Sequence, residues 1–418
     1  MLAHVALFTF APPPHTEREI RLAGLRRLAY IRPPPPPPAS TDTPMALRLF
    51  SAEQAATLGA RCLDGTPAGY YFRQGASNDT VIWLEGGGLC VEPIDCWQRT
   101  KENLGSSTHW PATKEDSNNV LSTDASNPFA NWTHVFVPYC TGDTYMGRQR
   151  AKNFMGLTFA GHLGLDAIVS DLLNTTGLAS AERVLFSGQS AGGIGVFHNA
   201  DWLGERLRAA GSTGWYAASP QAGAFMAADD LVMMPEYATL NMSLSFTQFA
   251  SAYLVEFFGG TNTNPDERPL LDASCVAAHA SHPHACWSVS TAYPFVETPL
   301  FVAQNTIDKV QAGDVFGAEW WPLPLKDHGA AKAEYLEYFG ARTRAGIVAS
   351  VLNNSAKADG LFVPSCYQHT DNLCMKGGSR VGGVSYAAAL ADWCGGTQRR
   401  VVEECSGGEP CNPSCGSC

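Results

Sequence analysis

The stretch Arg183-Val184-Leu185-Phe186-Ser187-Gly188-Gln189-Ser190-Ala191-Gly192-Gly193 decides how this chain folds. A short, branched, apolar run leads into Gly-x-Ser-x-Gly. Apolar residues then recur at Ile194, Phe197, Leu203 and Leu207, the spacing of one face of a helix. Strand, Gly-x-Ser-x-Gly and helix in that order predict a nucleophile elbow, in which the serine is strained and its hydroxyl stands clear of the sheet. Gly188 and Gly192 let strand and helix pass closely. The helix N-terminus beneath the serine favours a developing negative charge. The bare five-residue pattern also arises by chance in a chain with 40 glycines; the flanking strand and helix set this one apart.

Other apolar runs surround the elbow. Val81-Ile82-Trp83-Leu84 ends in Glu85-Gly86-Gly87-Gly88, His134 to Tyr139 ends at Cys140, and Pro299 to Ala303 and Leu361 to Val363 follow later. Helix-like stretches lie between them, at Leu163–Leu173, Ala191–Ala210 and Ala331–Leu352. Continuous apolar strands alternating with helices predict an α/β fold: a mostly parallel sheet covered by helices on both faces. Residues 225–290 are less regular and read as an inserted cap region. No internal repeat is present.

The chain has 418 residues, 45% of them apolar and 16% charged, which suits a globular protein and excludes disorder over most of its length. Its net charge of −11 argues against broad nucleic-acid binding. No run reaches the length of a membrane span. The 13 cysteines, with Asn-x-Ser/Thr sequons at Asn78, Asn131, Asn174, Asn241 and Asn353, predict a secreted, oxidised glycoprotein. An odd cysteine count leaves one thiol over. Because Cys405, Cys411, Cys415 and Cys418 crowd the last residues, one expectation is that the chain stops before the final partner. The opening apolar residues lack a basic start and make a poor signal peptide, and six prolines run from Pro33 to Pro38. Residues 1–44 are therefore read as a Pro-rich tail outside the fold, and residues 45–418 as one catalytic domain, expected to be a monomer.

A serine hydroxyl needs a base in hydrogen-bond reach, and that base needs an orienting acid. In this kind of fold they follow in the order Ser, Asp or Glu, His. Asp308 comes after the Leu300–Ala303 run, and His369 comes after Leu361–Val363, so both fit. Asp314 and Asp327 are rival acids, and His328 is a rival base in what looks like a surface turn. The oxyanion needs backbone donors. The amide of Ala191 and the Gly86-Gly87-Gly88 loop are placed to supply them. A phosphate loop is excluded, since no Gly-Lys-Ser/Thr follows. Cys275, His279, His282, His284 and Cys286 invite a metal reading, but their spacing matches no zinc signature; a Cys275–Cys286 disulfide is the expectation. No metal and no cofactor is expected.

Several segments together resemble one family. Leu84-Glu85-Gly86-Gly87-Gly88-Leu89-Cys90 with Cys96, Asp64-Gly65-Thr66-Pro67-Ala68-Gly69-Tyr70, Gly105-Ser106-Ser107, Pro138-Tyr139-Cys140-Thr141-Gly142-Asp143, the elbow itself and Ser365-Cys366-Tyr367-Gln368-His369 are similar to blocks of the pectin acetylesterase and Notum carboxylesterase family. The elbow helix from Gly193 to Asp201 is nearer the Notum version, and the Gly-Gly-Gly-Leu-Cys loop is nearer the pectin branch. The resemblance implies an α/β-hydrolase-like fold, Ser190 as nucleophile, Asp308 as acid, His369 as base, and oxyanion amides from Gly87, Gly88 and Ala191. It also implies disulfides Cys62–Cys140 and Cys90–Cys96. Leu89 stands where the pectin branch has Trp, and Thr370-Asp371 replace its Cys-Gln. The expected activity is hydrolysis of acetyl esters on a cell-wall polysaccharide such as pectin, the substrate being the partner. The alternatives are a Notum-like protein-lipid deacylase and, in another class, a catalytically silent carbohydrate-binding homologue.

Overall fold

The computed structural model describes residues 43–418, apart from 116–117, 154, 226–252, 261, 313–328, 354–356, 398 and 417. The strands of its main sheet are β1 (Met45–Leu49), β2 (Gly69–Arg73), β3 (Asp79–Leu84), β4 (Thr113–Lys114), β5 (Thr133–Val137), β6 (Arg183–Gln189), β7 (Trp215–Gln221), β8 (Phe301–Ala303), β9 (Gly360–Val363) and β10 (Arg400–Val402). Their spatial order is β10-β9-β8-β7-β6-β3-β5-β2-β1-β4. From β10 to β5 every neighbouring pair is parallel; β2, β1 and β4 then add an antiparallel edge. The principal helices are α1 (Pro93–Arg99), α2 (Gly161–Thr175), α3 (Ala191–Ala209), α4 (Gly329–Asn353) and α5 (Tyr386–Cys394).

Successive side chains point to opposite faces and both faces are covered, which is why these strands are apolar throughout. Ile82, Leu84, Val184 and Phe186 enter one hydrophobic core, with Ile168 and Leu172 of α2 and Ile194 and Val196 of α3. Val81, Trp83 and Leu185 point the other way, into a second core with Leu390 and Trp393 of α5. Every residue of β3 and β5 is buried. This is the expected α/β sheet with helices on both faces.

The five apolar runs read from the sequence are β3, β5, β6, β8 and β9, and the three helical stretches are α2, α3 and α4, shifted by a residue or two at their ends. β7 escaped that reading. Its sequence, Trp215-Tyr216-Ala217-Ala218-Ser219-Pro220-Gln221, is rich in small residues and carries a proline, which lacks a ladder donor. Pro220 is tolerated because it sits near the end of the strand, opposite Gly188. Of the inserted region between β7 and β8, residues 226–252 lie outside the described residues; beyond them come short helices at Pro265–Glu267, Ala273–Ala278 and Pro283–Trp287. Residues 1–42, with the proline tract, also lie outside the described residues.

Six disulfides join described residues. Cys62–Cys140, Cys90–Cys96 and Cys275–Cys286 are the expected three. Cys366–Cys415, Cys374–Cys418 and Cys405–Cys411 are the others. The leftover thiol is therefore Cys394 in α5, and the final cysteines all have partners in the chain. The expectation of a partner lost beyond the end is corrected. Crowding in the tail reflected two links back to the Cys366–Cys374 loop.

Candidate active site

Strand direction collects the candidate residues. Ser190 follows β6, Asp308 follows β8 and His369 follows β9, and these strands lie in the parallel run of the sheet, so all three residues occupy its C-terminal edge. Ser190 has φ 56° and ψ −123°, a left-handed conformation rare outside glycine. Such strain persists only where the surroundings over-determine it. Here the Ser190 N–H donates to the Gln221 carbonyl at the end of β7, 2.9 Å away. A Cβ on Gly188 would come within 2.8 Å of the Leu84 carbonyl oxygen, and one on Gly192 would collide with the same atom. Both glycines are thus required by the close passage of β3, β6 and α3.

Asp308 and His369 meet directly. The short strand Ile307–Asp308 pairs in parallel with Tyr367–Gln368, which brings the two loops together. His369 Nδ1 lies 2.7 Å from Asp308 Oδ2. A carboxylate only accepts, so Nδ1 carries the proton and Nε2 of the neutral ring holds a lone pair. That Nε2 is buried and has no hydrogen-bond partner among the described residues. Asp308 is fully buried. Its Oδ2 also accepts from Gln304 Nε2 at 3.0 Å, and its Oδ1 accepts from the amides of Val310 and Gln311 at 3.0 and 3.1 Å.

A hydrogen-bonded chain ties this pair to the elbow. The Gln304 side chain accepts from the Ala224 amide at 3.0 Å, just past β7, whose Gln221 carbonyl holds Ser190. Asn305 Nδ2 donates to the His369 carbonyl at 2.8 Å, and Asn305 and Asn372 exchange side-chain bonds at 2.8 and 2.9 Å. The Phe225 ring lies 6.4 Å from the His369 ring, centre to centre. Gln304, Asn305 and Asn372 were not singled out from the sequence. Polar Gln304 and Asn305 directly after the buried β8 are the signal that could have found the first two.

The Gly-rich loop packs on Ser190: a Cβ on Gly86 would sit 3.0 Å from Ser190 Cβ. Gly88 has φ 71°, which suits glycine. The loop's root is tied down by Tyr145, whose hydroxyl donates to the Glu85 and Val137 carbonyls at 3.0 and 3.1 Å. Burial raises the Tyr145 phenol well above its ordinary range, so it stays a donor. Ala191 opens the 19-residue helix α3, its amide beside the serine.

The rival residues Asp314, Asp327 and His328 lie outside the described residues. His279 Nδ1 approaches Cys275 Sγ and Cys286 Sγ at 3.7 and 3.9 Å. Those two sulfurs are bonded to each other, so neither offers the thiolate a metal would need. Among the described residues no helix is long and apolar enough to cross a membrane.

Comparison with known proteins agrees with this architecture. The solved structure of the Wnt deacylase Notum from Drosophila superposes with a TM-score of 0.69, covering 90% of this chain and 100% of that one at 22% identity, a likeness of fold. Pectin acetylesterases 5 and 4 of Arabidopsis thaliana are each 28% identical, over 85% and 90% of this chain and 82% and 90% of their own lengths. The palmitoleoyl-protein carboxylesterase notum1a of Danio rerio is 27% identical over 74% of this chain; the match spans 58% of that relative's length. The sequence model of the pectinacetylesterase family matches residues 40–416. The chain belongs to the pectinacetylesterase family of carboxylic ester hydrolases.

Proposed function

We propose that this chain is a secreted serine carboxylesterase that removes acetyl groups from a cell-wall polysaccharide. The observation that carries the reading is the His369–Asp308 pair with its unpartnered Nε2, at the sheet edge that also bears the strained Ser190. His369 Nε2 takes the proton of Ser190 Oγ as the oxygen attacks the ester carbonyl. The tetrahedral oxyanion accepts hydrogen bonds from the amides of Gly87 or Gly88 and Ala191. The imidazolium, steadied by Asp308, returns the proton to the leaving sugar hydroxyl. Water, deprotonated by the same imidazole, then releases acetate from the acyl-enzyme. The six disulfides suit an oxidising compartment.

The acetyl-ester preference rests on the pectin acetylesterases matched over most of both chains. A specific observation favours a second reading, removal of a long acyl chain from protein: human palmitoleoyl-protein carboxylesterase NOTUM is 36% identical, though over 36% of this chain. The two differ in pocket depth, since an acetyl group needs a shallow site and a long chain a deep apolar one. Turnover of p-nitrophenyl esters from acetate to decanoate, beside acetate release from acetylated pectin, xylan and chitin, separates them. Fastest turnover on the longest chains, with no acetate released, would overturn the acetyl reading. Fluorophosphonate labelling that vanishes in Ser190→Ala is expected; an unlabelled wild-type protein would point instead to a silent carbohydrate binder.

A further inference from the structure

Arg99 lies outside the proposed catalytic groups, yet its guanidinium reaches the loop that carries two of them. Nη1 donates to the Gly87 carbonyl at 2.7 Å and Nη2 to the Leu89 carbonyl at 3.1 Å. Nε donates to Asp95 at 3.1 Å, one turn earlier on the same helix. The whole planar fork is engaged, and the side chain is only 15% exposed. Helix α1 is itself tied to the loop by the Cys90–Cys96 disulfide.

A trans peptide is planar, so its C=O and the following N–H point in opposite directions. The Leu89–Cys90 peptide displays this: Arg99 holds its carbonyl while its N–H donates to Gly142 O at 2.8 Å on the other side. The Gly87–Gly88 peptide has its carbonyl held in the same way, but the Gly88 N–H makes no hydrogen bond among the described residues. Gly88 is only partly buried. In the same loop Gly86 packs against Ser190, where its Cβ would sit 3.0 Å from the serine Cβ. A peptide between two glycines turns over with little steric resistance. The glycines that give access therefore leave the donor's direction undetermined unless something grips the carbonyl.

We infer that Arg99 is a positioning residue: by gripping the Gly87 carbonyl it aims the Gly88 N–H at the oxyanion. This rests on the serine-esterase reading above. The test measures kcat and KM for p-nitrophenyl acetate, the rate of fluorophosphonate labelling and the melting temperature for wild type, Arg99→Gln, Arg99→Lys and Ser190→Ala. A well-placed oxyanion donor contributes about 10²–10³ in rate, so a donor left free to turn is expected to lower kcat by about 10–100-fold in Arg99→Gln. KM should barely move, labelling should slow by the same factor, and any fall in melting temperature should leave the protein folded at the assay temperature. Arg99→Lys should fall between, because one ammonium cannot hold both carbonyls. An unchanged kcat in Arg99→Gln, or a loss confined to KM and melting temperature, overturns the inference. If Arg99→Gln does not fold, Arg99→Lys decides: kcat equal to wild type counts against it, and a lowered kcat in a folded protein supports it. Full turnover in Ser190→Ala would instead sink the underlying serine reading, an outcome independent of Arg99.

Discussion

The two halves of the candidate site are held by different physics. The Ser190 half is backbone: a left-handed serine, glycines that admit close passage, and a main-chain bond to Gln221. The Asp308–His369 half is mostly side chain: Asp308 gripped by Gln304 and by two backbone amides, His369 anchored through Asn305 and Asn372, and the Cys366–Cys415 disulfide close by in the chain. A backbone device is local and tolerates change elsewhere. A side-chain network is spread over residues far apart in sequence, so its failure is distributed.

The largest expected effect separates chemistry from stability in the backbone half. Ser190→Ala should lower p-nitrophenyl acetate turnover by about 10⁴–10⁶-fold with an almost unchanged melting curve. Ser190→Gly should be equally inactive yet more stable by about 1 kcal/mol, because glycine adopts φ 56° without strain. A melting temperature no higher than that of Ser190→Ala would show that the strain is not stored there. Asp308→Asn probes the other half. It presents an amide to the Nδ1–H and favours the wrong tautomer, so kcat should drop by about 10⁴-fold. A drop smaller than tenfold would mean the base is oriented by something else.

Next comes the disulfide. Removing Cys366–Cys415 with two serines opens a loop of sequence separation 49 and should cost about 4 kcal/mol, read by urea unfolding. Heat inactivation should then precede loss of far-ultraviolet dichroism, since the histidine loop loosens before the sheet. Coincident transitions would argue that the two halves unfold as one.

The smallest effect is a pH dependence in the backbone half. Burial pushes His162 of α2, His198 of α3 and His134 of β5 down to about 4. In the unfolded chain each imidazole titrates near 6.5. Above that pH all are neutral in both states and nothing is lost. As pH falls from about 6.5 to about 4, the unfolded state takes up protons that the folded state refuses, so stability declines across that window. His198 donates from Nε2 to the Trp287 carbonyl at 3.0 Å, while its buried Nδ1 has no partner among the described residues. His198→Phe should therefore make the decline of the urea midpoint between pH 6.5 and 4.5 shallower. An unaltered slope would show that this imidazole does not resist protonation in the fold.

Legibility followed the same division. The elbow, the Gly-rich loop and the strands β3, β5, β6, β8 and β9 were visible because each is a local pattern: a short continuous apolar run, which in β3 and β6 leads into a glycine or serine motif. β7 was invisible because its burial comes from β6 and β8 on either side, which makes a strand of small residues and a proline stable. Asp308 and His369 were found by order along the chain, with rivals left standing, and it is the meeting of Ile307–Asp308 with Tyr367–Gln368 that joins them.

The sequence by itself determined five strands of the sheet (β3, β5, β6, β8 and β9), the position of Ser190 and the need for glycine around it, because those depend on contacts between near neighbours and on the allowed backbone angles of single residues. Only the tertiary structure decided which acid faces which base, which cysteine stays unpaired, and that Arg99 grips the carbonyl ahead of Gly88. Those choices depend on which distant segments the packed sheet brings within hydrogen-bond or disulfide reach, and no local periodicity records that.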